Sequence, residues 1–414
     1  MLLCSVDDLE PGMEVGGVVL HPRRPQTELL RPGAKLERKM IDYLHRIGIG
    51  EIWIQHDATA DLDAAVAPAL TTARTELYQK LKNDFGALAS ATVSTTRVQV
   101  YRQSIIELVF ALIRSGKYAH TCHQLLKDSS HIFTHSANVA FLSLLVGLEM
   151  ETYVVRQRPR LSPDHARDVV PLGLGAMLHD IGKHDLADEA RKHHEIHPVP
   201  EDPDVGQAYA GHPENGYHML LDVRLPATAR HAVLNHHQRF DGSGWPDRVI
   251  ATRGRQEGPQ SGTGIHIFSR IISAANVFDN LMTTADGDKR PTIAALCEFA
   301  GGRFDGWFDP LISDLMIRRV PPFPIGSQVR LSNGWQGAVV GLNFQQPCRP
   351  SVRILDDRCR TRGGDLRLID LEAARELHVV ECAGALVEKY LFELPTLRPH
   401  GDFRTEPDTR AESA

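Results

Sequence analysis

The sequence predicts a multidomain protein with a central all-α helical bundle, a small α+β domain before it and a small β-rich domain after it. The chain has 414 residues, which is longer than one hydrophobic core usually organises. Its central half carries apolar residues almost only at helical spacing. After the prolines at 321–324 the pattern changes to short apolar segments separated by turn signals.

The first predicted domain covers residues 1–62. VGGVVL, which follows a Pro-Gly turn, predicts a strand; LERKMIDYLHRIGI predicts a helix and EIWIQ a second strand. Apolar residues from Leu70 to Phe85 recur at helical spacing. We therefore expect a connecting helix within residues 63–96.

The second predicted domain covers residues 97–320 and is helical. The apolar residues Ile105, Leu108, Val109 and Leu112 predict one face of a helix that Gly116 ends. Further helices are predicted over residues 133–150, 166–181, 211–222, 227–237, 264–284 and 306–318. The stretch RGRQEGPQSGTG at 253–264 predicts a flexible polar interruption.

The third predicted domain covers residues 325–395. SQVRLSNGWQGAVVGL contains two apolar segments around Asn333-Gly334, which is a hairpin signal, and PSVRIL predicts a third strand. The polar tail at 397–414 has the composition of a disordered segment.

Composition excludes several functional classes. A net charge of −6 gives no reason to expect bulk nucleic acid as a partner. The six cysteines lie far apart without a CxxC pair, which argues against a zinc ribbon or a disulfide framework and suits a reducing compartment. The N-terminus lacks the pattern of a signal peptide, and the longest apolar run is too short to span a bilayer. We expect a cytoplasmic protein without a membrane span.

Five short motifs in the helical region concentrate the residues that can bind metal. They are HIFTHS with His131 and His135, MLHDIGK with His179, Asp180 and Lys183, GHPENG with His212, NHHQRFDGSGWPD with His236 and His237, and ISAANVFDN with Asn276 and Asp279. The chain has 21 histidines, so any single motif is weak support and can equally be a polar helix end. The ordered set within one helical domain favours a functional site.

The residue types indicate which ions such a site would take. Neutral imidazoles combined with carboxylates suit iron, manganese, nickel or zinc. A carboxylate next to a histidine, as in His179-Asp180, can bridge two ions while the histidine binds one of them. Two ions together serve phosphoryl chemistry. By contrast, His193, His194 and His197 lie in a charged segment bounded by proline, for which we expect a solvated loop.

With these motifs in order, residues 97–318 resemble an HD-GYP domain, a metal-dependent phosphohydrolase of the HD superfamily. The matching strings are THSANVA, LHDIGK, HPENGYHML, HHQRFDGSGWP and SRIISAANVFDNL. The central bundle is accordingly expected to be of the HD type. The N-terminal DLEPGMEV module resembles an accessory domain that often precedes HD-GYP domains, and FPIGSQVRLSNGWQGAVVG resembles a β extension that follows some of them.

The resemblance implies a site with two divalent ions, for which iron or manganese is favoured and nickel or zinc is an alternative. The implied metal ligands are His135, His179, Asp180, His212, His236, His237 and Asn276. Asp180 and Lys183 would be catalytic. The implied substrate-binding residues are Lys183, Arg239, Asp241, Gly242, Gly244, Trp245, Pro246 and Arg290. His131 and Asp279 are auxiliary candidates, and His131 stands where some members bind a third ion.

The chain departs from the family pattern at several implied site positions. Asn276 replaces an aspartate ligand, Trp245 replaces the tyrosine of the GYP signature, and Gln238 stands where the family favours glutamate. Arg290 lies further along the chain than the family's phosphate-binding arginine, and Thr292 replaces a tyrosine.

The family's reaction is hydrolysis of cyclic di-GMP to pGpG, to GMP, or to both, in bacterial second-messenger signalling, and the resemblance implies that activity. Two alternatives remain open: a catalytically weak or inactive module that senses a nucleotide or docks a partner, and a phosphohydrolase of another nucleotide. Expected partners are a cyclic dinucleotide and a signalling protein such as a diguanylate cyclase domain, with oligomer formation left open.

Overall fold

The computed structural model describes most of the chain. The described residues are 1–21, 24–65, 95–115, 131–184, 186–197, 202–250, 255–257, 259–284, 290–355 and 366–394. Residues 66–94, which make up most of the predicted connecting helix, lie outside them, as does the predicted tail. Both of those stay predictions.

The N-terminal module has the predicted α+β composition. Its elements are β1 (Leu2–Ser5), β2 (Val19–His21), β3 (Arg24–Leu30), α1 (Arg38–Arg46) and β4 (Glu51–Ile54). Strand β1 pairs antiparallel with β4, and β2 pairs antiparallel with β3. The predicted strand VGGVVL is wrong in its first half, because Gly16 and Gly17 pass close over Ile54 and Trp53 of β4 instead of continuing β2.

The central domain is a helical bundle, as predicted. Its helices are α2 (Thr95–Ser115), α3 (His131–Glu149), α4 (Glu151–Arg156), α5 (Pro163–Ala166), α6 (Val170–Leu178), α7 (Asp188–Lys192), α8 (Pro203–Met219), α9 (Ala227–Asn235), α10 (Ile267–Leu281), α11 (Thr292–Ala300) and α12 (Pro310–Arg319). Every residue of α10 is buried, and α3, α6 and α9 pack against it. A helix that is buried on all sides marks the centre of the bundle.

Helix α8 begins earlier than its apolar pattern predicts. Asp202 caps it by accepting a hydrogen bond of 2.9 Å from the Asp204 backbone nitrogen, and Pro203 occupies the first turn. Both are typical of a helix start. Pro213, near which the predicted helix starts, lies inside α8.

Two other segments of the bundle differ from prediction. Residues 253–264, predicted to be an interruption, contain β6 (Arg255–Glu257), which pairs with β5 (Arg248–Ile250), and a 3₁₀ turn at Gly262–Gly264. Helix α11 was not predicted, because its short sequence TIAALCEFA is apolar nearly throughout and carries no helical period.

The C-terminal domain is β-rich, as predicted. Its strands are β7 (Gln328–Leu331), β8 (Gln336–Gly341), β9 (Ser351–Ile354), β10 (Leu368–Asp370), β11 (Val379–Cys382) and β12 (Ala385–Leu386). They form a six-stranded sheet in the order β10-β9-β8-β7-β11-β12. The predicted hairpin is confirmed: Gln328 pairs with Ala338, and Gly334 at the turn has φ +85°.

The two end domains pack against each other. The Leu3 backbone nitrogen in β1 donates to the Gly326 carbonyl at 2.7 Å, and Arg353 of β9 forms an ion pair with Asp61 at 2.6 Å. The N-terminal module is therefore joined to the C-terminal sheet. Among the described residues, no helix combines the length and apolar character that crossing a bilayer requires.

Candidate metal centre

Two groups of buried side chains meet at the centre of the helical bundle. The first consists of His135, His179 and Asp180, and the second of Asp180, His212, His236 and His237. Within each group one ligand atom per residue lies within 4.8 Å of the others. The structure thus brings together six of the seven predicted metal ligands, and Asp180 belongs to both groups.

Glycine brings two of the contributing segments into contact. A Cβ atom at Gly182, just after Asp180, would lie 2.0 Å from the His212 carbonyl oxygen of α8 and 2.6 Å from the Gly216 nitrogen. No other residue fits that approach without moving the backbone. The glycine in HDIGK is therefore what lets His212 lie beside Asp180.

Helix ends set the proton positions of two imidazoles. His179 follows the last residue of α6, and its Nδ1 lies 2.7 Å from the Ala176 carbonyl oxygen. His236 follows α9, with its Nδ1 2.7 Å from the Val233 carbonyl oxygen. The last carbonyls of a helix lack backbone partners and only accept, so Nδ1 carries the proton in both rings. Their Nε2 lone pairs are left for the centre of the site.

Pro213 provides a carbonyl acceptor for the Nδ1 of His212 inside helix α8. Proline has no N–H, so the carbonyl four residues earlier, that of Tyr209, lacks its helical donor. The His212 Nδ1 lies 2.5 Å from that carbonyl oxygen and donates to it. In HPENG, proline thus frees the acceptor that orients the preceding histidine.

His135 is oriented by a carboxylate. Its Nδ1 lies 2.7 Å from Oδ2 of Asp279 on α10, and both side chains are buried. Asp279 therefore contacts the site through His135 rather than joining either ligand group. A carboxylate behind a metal-binding imidazole fixes its tautomer and raises its basicity.

The facing nitrogens and one carboxylate oxygen fit a cation. The Nε2 atoms of His212 and His236 are 3.2 Å apart, as are those of His135 and His179. Lone pairs at that separation repel unless positive charge lies between them. The buried Asp180 Oδ1 has no hydrogen-bond partner, although it is 3.2 Å from His212 Nε2. Buried carboxylate oxygens rarely stay without a partner, so the donor set suits divalent metal.

Electrostatics keep the ligands in the protonation states that metal binding requires. Burial lowers the pKa of His212 to about 4 and lowers the pKa of His179 and His237 well below the usual value. Burial alone would raise the pKa of Asp180, but the charge of Lys183 helps to hold it well below its usual range. The imidazoles of His179, His212 and His237 are therefore neutral, and the Asp180 carboxylate is ionised, at neutral pH.

Lys183 is buried against the site. Its Nζ lies 2.9 Å from Asp180 Oδ2 and 5.0 Å from the centre of the Tyr209 ring. A positive charge is thus held next to the carboxylate that the two ligand groups share.

The glycine-rich loop after α9 folds back over His237. Trp245 stacks on the His237 ring with centroids 4.3 Å apart and planes 11° apart. A Cβ atom at Gly244 would lie 2.3 Å from the His237 carbonyl oxygen, so the loop needs glycine there. The tryptophan in place of the family's tyrosine therefore covers one face of a candidate ligand.

Side chains within this loop hold its shape. Asp241 accepts a hydrogen bond of 2.8 Å from the Ser243 nitrogen, and Gly242 has φ +86°. Gln238 donates to the Pro246 carbonyl at 2.6 Å and accepts from the Gln260 nitrogen at 2.8 Å. A glutamate, the family's usual residue, could make only the second of these bonds.

Two residues that were predicted to belong to the site form hydrogen bonds or ion pairs with residues outside the two ligand groups. Arg290 pairs with Glu298 at 2.7 Å and donates to the Leu281 carbonyl, and it contacts neither ligand group. Asn276 donates through Nδ2 to Glu195 at 3.3 Å and accepts through Oδ1 from Asn280 at 3.1 Å. The side chain of His131, at the start of α3, lies outside the described residues.

Sequence reasoning missed Glu195. It lies in the segment expected to be a solvated loop, yet its side chain is 2% exposed and reaches His237, Arg239 and Asn276. The expectation of a solvated loop was wrong at this residue. No spacing signal identifies it, because the contact is made by tertiary packing.

Two models of known protein families match parts of this chain. The model of the HD domain family matches residues 121–312, and that of a KOW domain associated with the HD domain matches residues 328–384. Cyclic di-GMP phosphodiesterase PA4108 of Pseudomonas aeruginosa is 25% identical over 79% of this chain and 77% of its own length. Cyclic di-GMP phosphodiesterase response regulator RpfG of Xanthomonas campestris pv. campestris is 28% identical over 35% of this chain and 35% of its own.

Among solved structures, Bd1817, a HDG"Y"P protein from Bdellovibrio bacteriovorus, is 15% identical, with a TM-score of 0.44 over 77% of this chain and 97% of that one. The sequence matches confirm the resemblance found in the motifs. The chain carries an HD domain followed by a KOW-type β domain, and it is a relative of the HD-GYP cyclic di-GMP phosphodiesterases.

Proposed function

We propose that this protein is a metal-dependent phosphodiesterase that hydrolyses cyclic di-GMP. The observation that carries the proposal is the pair of buried ligand groups that share Asp180, with imidazole nitrogens facing each other at 3.2 Å. Relatives named for this activity support the choice of substrate.

In the proposed site each ligand group holds one divalent ion. His135, His179 and Asp180 would hold the first, and Asp180 with His212, His236 and His237 the second. When bound, such a pair polarises the phosphodiester and lowers the pKa of water for attack. Iron or manganese is our preferred identity, on the chemistry of the donor atoms. A third ion near His131 stays a separate prediction.

The chain's own charged groups complete the proposed chemistry. Lys183, 2.9 Å from Asp180, keeps a positive charge beside the place where the phosphate would lie. We assign it to binding a phosphate oxygen. Arg239, Asp241, Gly242, Gly244, Trp245 and Pro246 are assigned to shaping the substrate side of the site. Arg290 would join them only after leaving Glu298.

The test couples metal content to product formation. Protein purified without oxygen should bind two divalent ions and convert cyclic di-GMP to pGpG, GMP or both. His212→Ala should lose an ion and reduce kcat by at least about 100-fold, because it removes a ligand of the shared site. His218→Ala, an exposed histidine on the same helix, is the matched control and should retain both. Metal-loaded protein that leaves cyclic di-GMP intact would reject the proposal.

A non-catalytic nucleotide sensor is the second candidate function. It is favoured by Asn276, whose amide atoms are bonded to Glu195 and Asn280 rather than offered to the ligand groups. Tight binding of cyclic di-GMP by the metal-loaded protein without turnover would select this alternative. Turnover of a different nucleotide would instead select another phosphohydrolase.

A further inference from the structure

Glu195 is a buried acid beside the candidate metal centre that no motif explains. It lies between α7 and α8, and its Oε1 is 3.1 Å from the His237 Nδ1. Its Oε2 is 3.5 Å from Arg239 Nη2. Burying a carboxylate costs free energy unless it is paired. The position of Glu195 between His237 and Arg239 therefore suggests a role for this side chain.

In the two ligand groups, the other four imidazoles each have a hydrogen-bond acceptor at Nδ1. His179, His212 and His236 each place Nδ1 against a backbone carbonyl, and His135 places its Nδ1 against Asp279. His237 turns its Nε2 towards His212 at 3.3 Å. Its Nδ1 lies 3.1 Å from Glu195 Oε1 without the alignment of a hydrogen bond, so Glu195 is on the side of the ring where the other imidazoles have their acceptor.

Asn276 provides a second, independent reason for a carboxylate here. The resemblance implies an aspartate at this position of α10, and the asparagine carries no charge. Its Nδ2 lies 3.3 Å from the same Glu195 oxygen that faces His237. An acidic side chain is therefore present 3.3 Å away on a different segment, although burial raises its pKa to about 7.

The segment that carries Glu195 is held in place by the bundle. Arg303 donates to the Ile196 carbonyl, and Ile196 belongs to the main hydrophobic core. Glu195 thus points inward because its neighbours are anchored.

We propose that Glu195 is a positioning residue of the metal centre. In the metal-bound protein its carboxylate accepts the His237 Nδ1 proton, keeps the ring turned with Nε2 towards the second ligand group, and supplies the negative charge that Asn276 lacks. The inference rests on the proposed function only in requiring a cation at that group; it does not depend on which nucleotide is hydrolysed.

The experiment measures Mn²⁺ binding by electron paramagnetic resonance of the free ion, with no substrate present. Wild type should bind two ions. Glu195→Gln, which keeps an acceptor but removes the charge, should weaken one of them about tenfold, and Glu195→Ala should weaken it by up to about 100-fold. Glu195→Asp should recover part of the loss. The matched control is Glu189→Gln, an exposed acid on α7, which should bind as wild type does.

A double-mutant comparison assigns the effect to His237. In a His237→Ala background, Glu195→Gln should cost less affinity than it does in the wild type, because the ring that Glu195 orients is gone and only the effect of its charge remains. A full additional loss there would overturn the inference, as would wild-type Mn²⁺ affinity in Glu195→Ala. If wild type binds Mn²⁺ and Glu195→Gln weakens it while cyclic di-GMP stays intact, the proposed function fails and this inference stands.

Discussion

At the scale of single residues, each imidazole ring of the candidate site is held in one orientation by a group next to its Nδ1. Each of the five rings has an Nδ1 neighbour that only accepts: three backbone carbonyls and two carboxylates. The partners differ, but the result for each ring is an Nε2 lone pair turned to the centre. Orientation of this kind reduces the rearrangement that metal binding demands.

A substitution at Pro213 tests whether the orientation of His212 favours metal binding, and its effect on metal affinity can be told apart from its effect on stability. Pro213→Ala restores a backbone N–H opposite the Tyr209 carbonyl, which then competes with the His212 Nδ1. We expect Mn²⁺ affinity to fall several-fold. The midpoint of thermal unfolding should stay the same or rise, because alanine is the better residue inside a helix.

Pro203 on the same helix is the control for that substitution. It lies in the first turn, where the missing N–H leaves no helical carbonyl without a donor. Pro203→Ala should leave Mn²⁺ affinity unchanged. Unaltered affinity in Pro213→Ala would show that the freed carbonyl does not orient His212.

At the scale of elements, the sequence predicted most of the candidate ligands that the structure brings together, but not every residue that positions them. The motif histidines and Asp180 are recognisable because the ordered motifs resemble those of the HD-GYP family, and that resemblance implies them as ligands. The position of Glu195, which lies beside both His237 and Asn276, depends on how the segment between α7 and α8 packs. The spacing of residues in the sequence does not encode that packing. Helix α11 escaped prediction for a different reason, since its short sequence is apolar nearly throughout and shows no helical period.

The contact between the turn after α6 and helix α8 is the clearest element-scale constraint. Gly182→Ala would place a methyl group 2.0 Å from the His212 carbonyl oxygen, so α8 must move away. We expect a loss of about 1 to 3 kcal/mol in the free energy of unfolding in urea, together with weaker metal binding. Gly264→Ala, where a Cβ meets nothing within 4 Å, is the control and should change neither quantity.

At the scale of the whole molecule, the N-terminal module and the C-terminal sheet contact each other. The hydrogen bond between Leu3 and Gly326 and the ion pair between Arg353 and Asp61 connect the N-terminal module to the C-terminal sheet. Helix α11 contributes Ile293 to the core of that sheet. A path of packed contacts thus runs from the N-terminal module through the sheet to the bundle.

The Arg353–Asp61 pair tests whether the end domains stabilise each other. The guanidinium makes two bonds to Asp61, at 2.6 and 2.8 Å, and one to the Ala58 carbonyl. A double-mutant cycle with Arg353→Met and Asp61→Asn should give a coupling of about 0.2 to 1 kcal/mol at low salt, because Asp61 is largely exposed and the charges are screened. Sodium chloride at high concentration should reduce it.

The coupling between Arg353 and Asp61 should weaken only at acidic pH. The hydrogen bond from Arg353 lowers the pKa of the Asp61 carboxyl group below its usual value. A carboxylate with a depressed folded pKa stabilises above its unfolded pKa and loses that contribution only as pH falls through the folded value. The coupling measured from urea unfolding should therefore stay constant between about pH 5 and 8. A coupling that declines across that window, or that is zero at low salt, would mean that this ion pair does not join the two domains in solution.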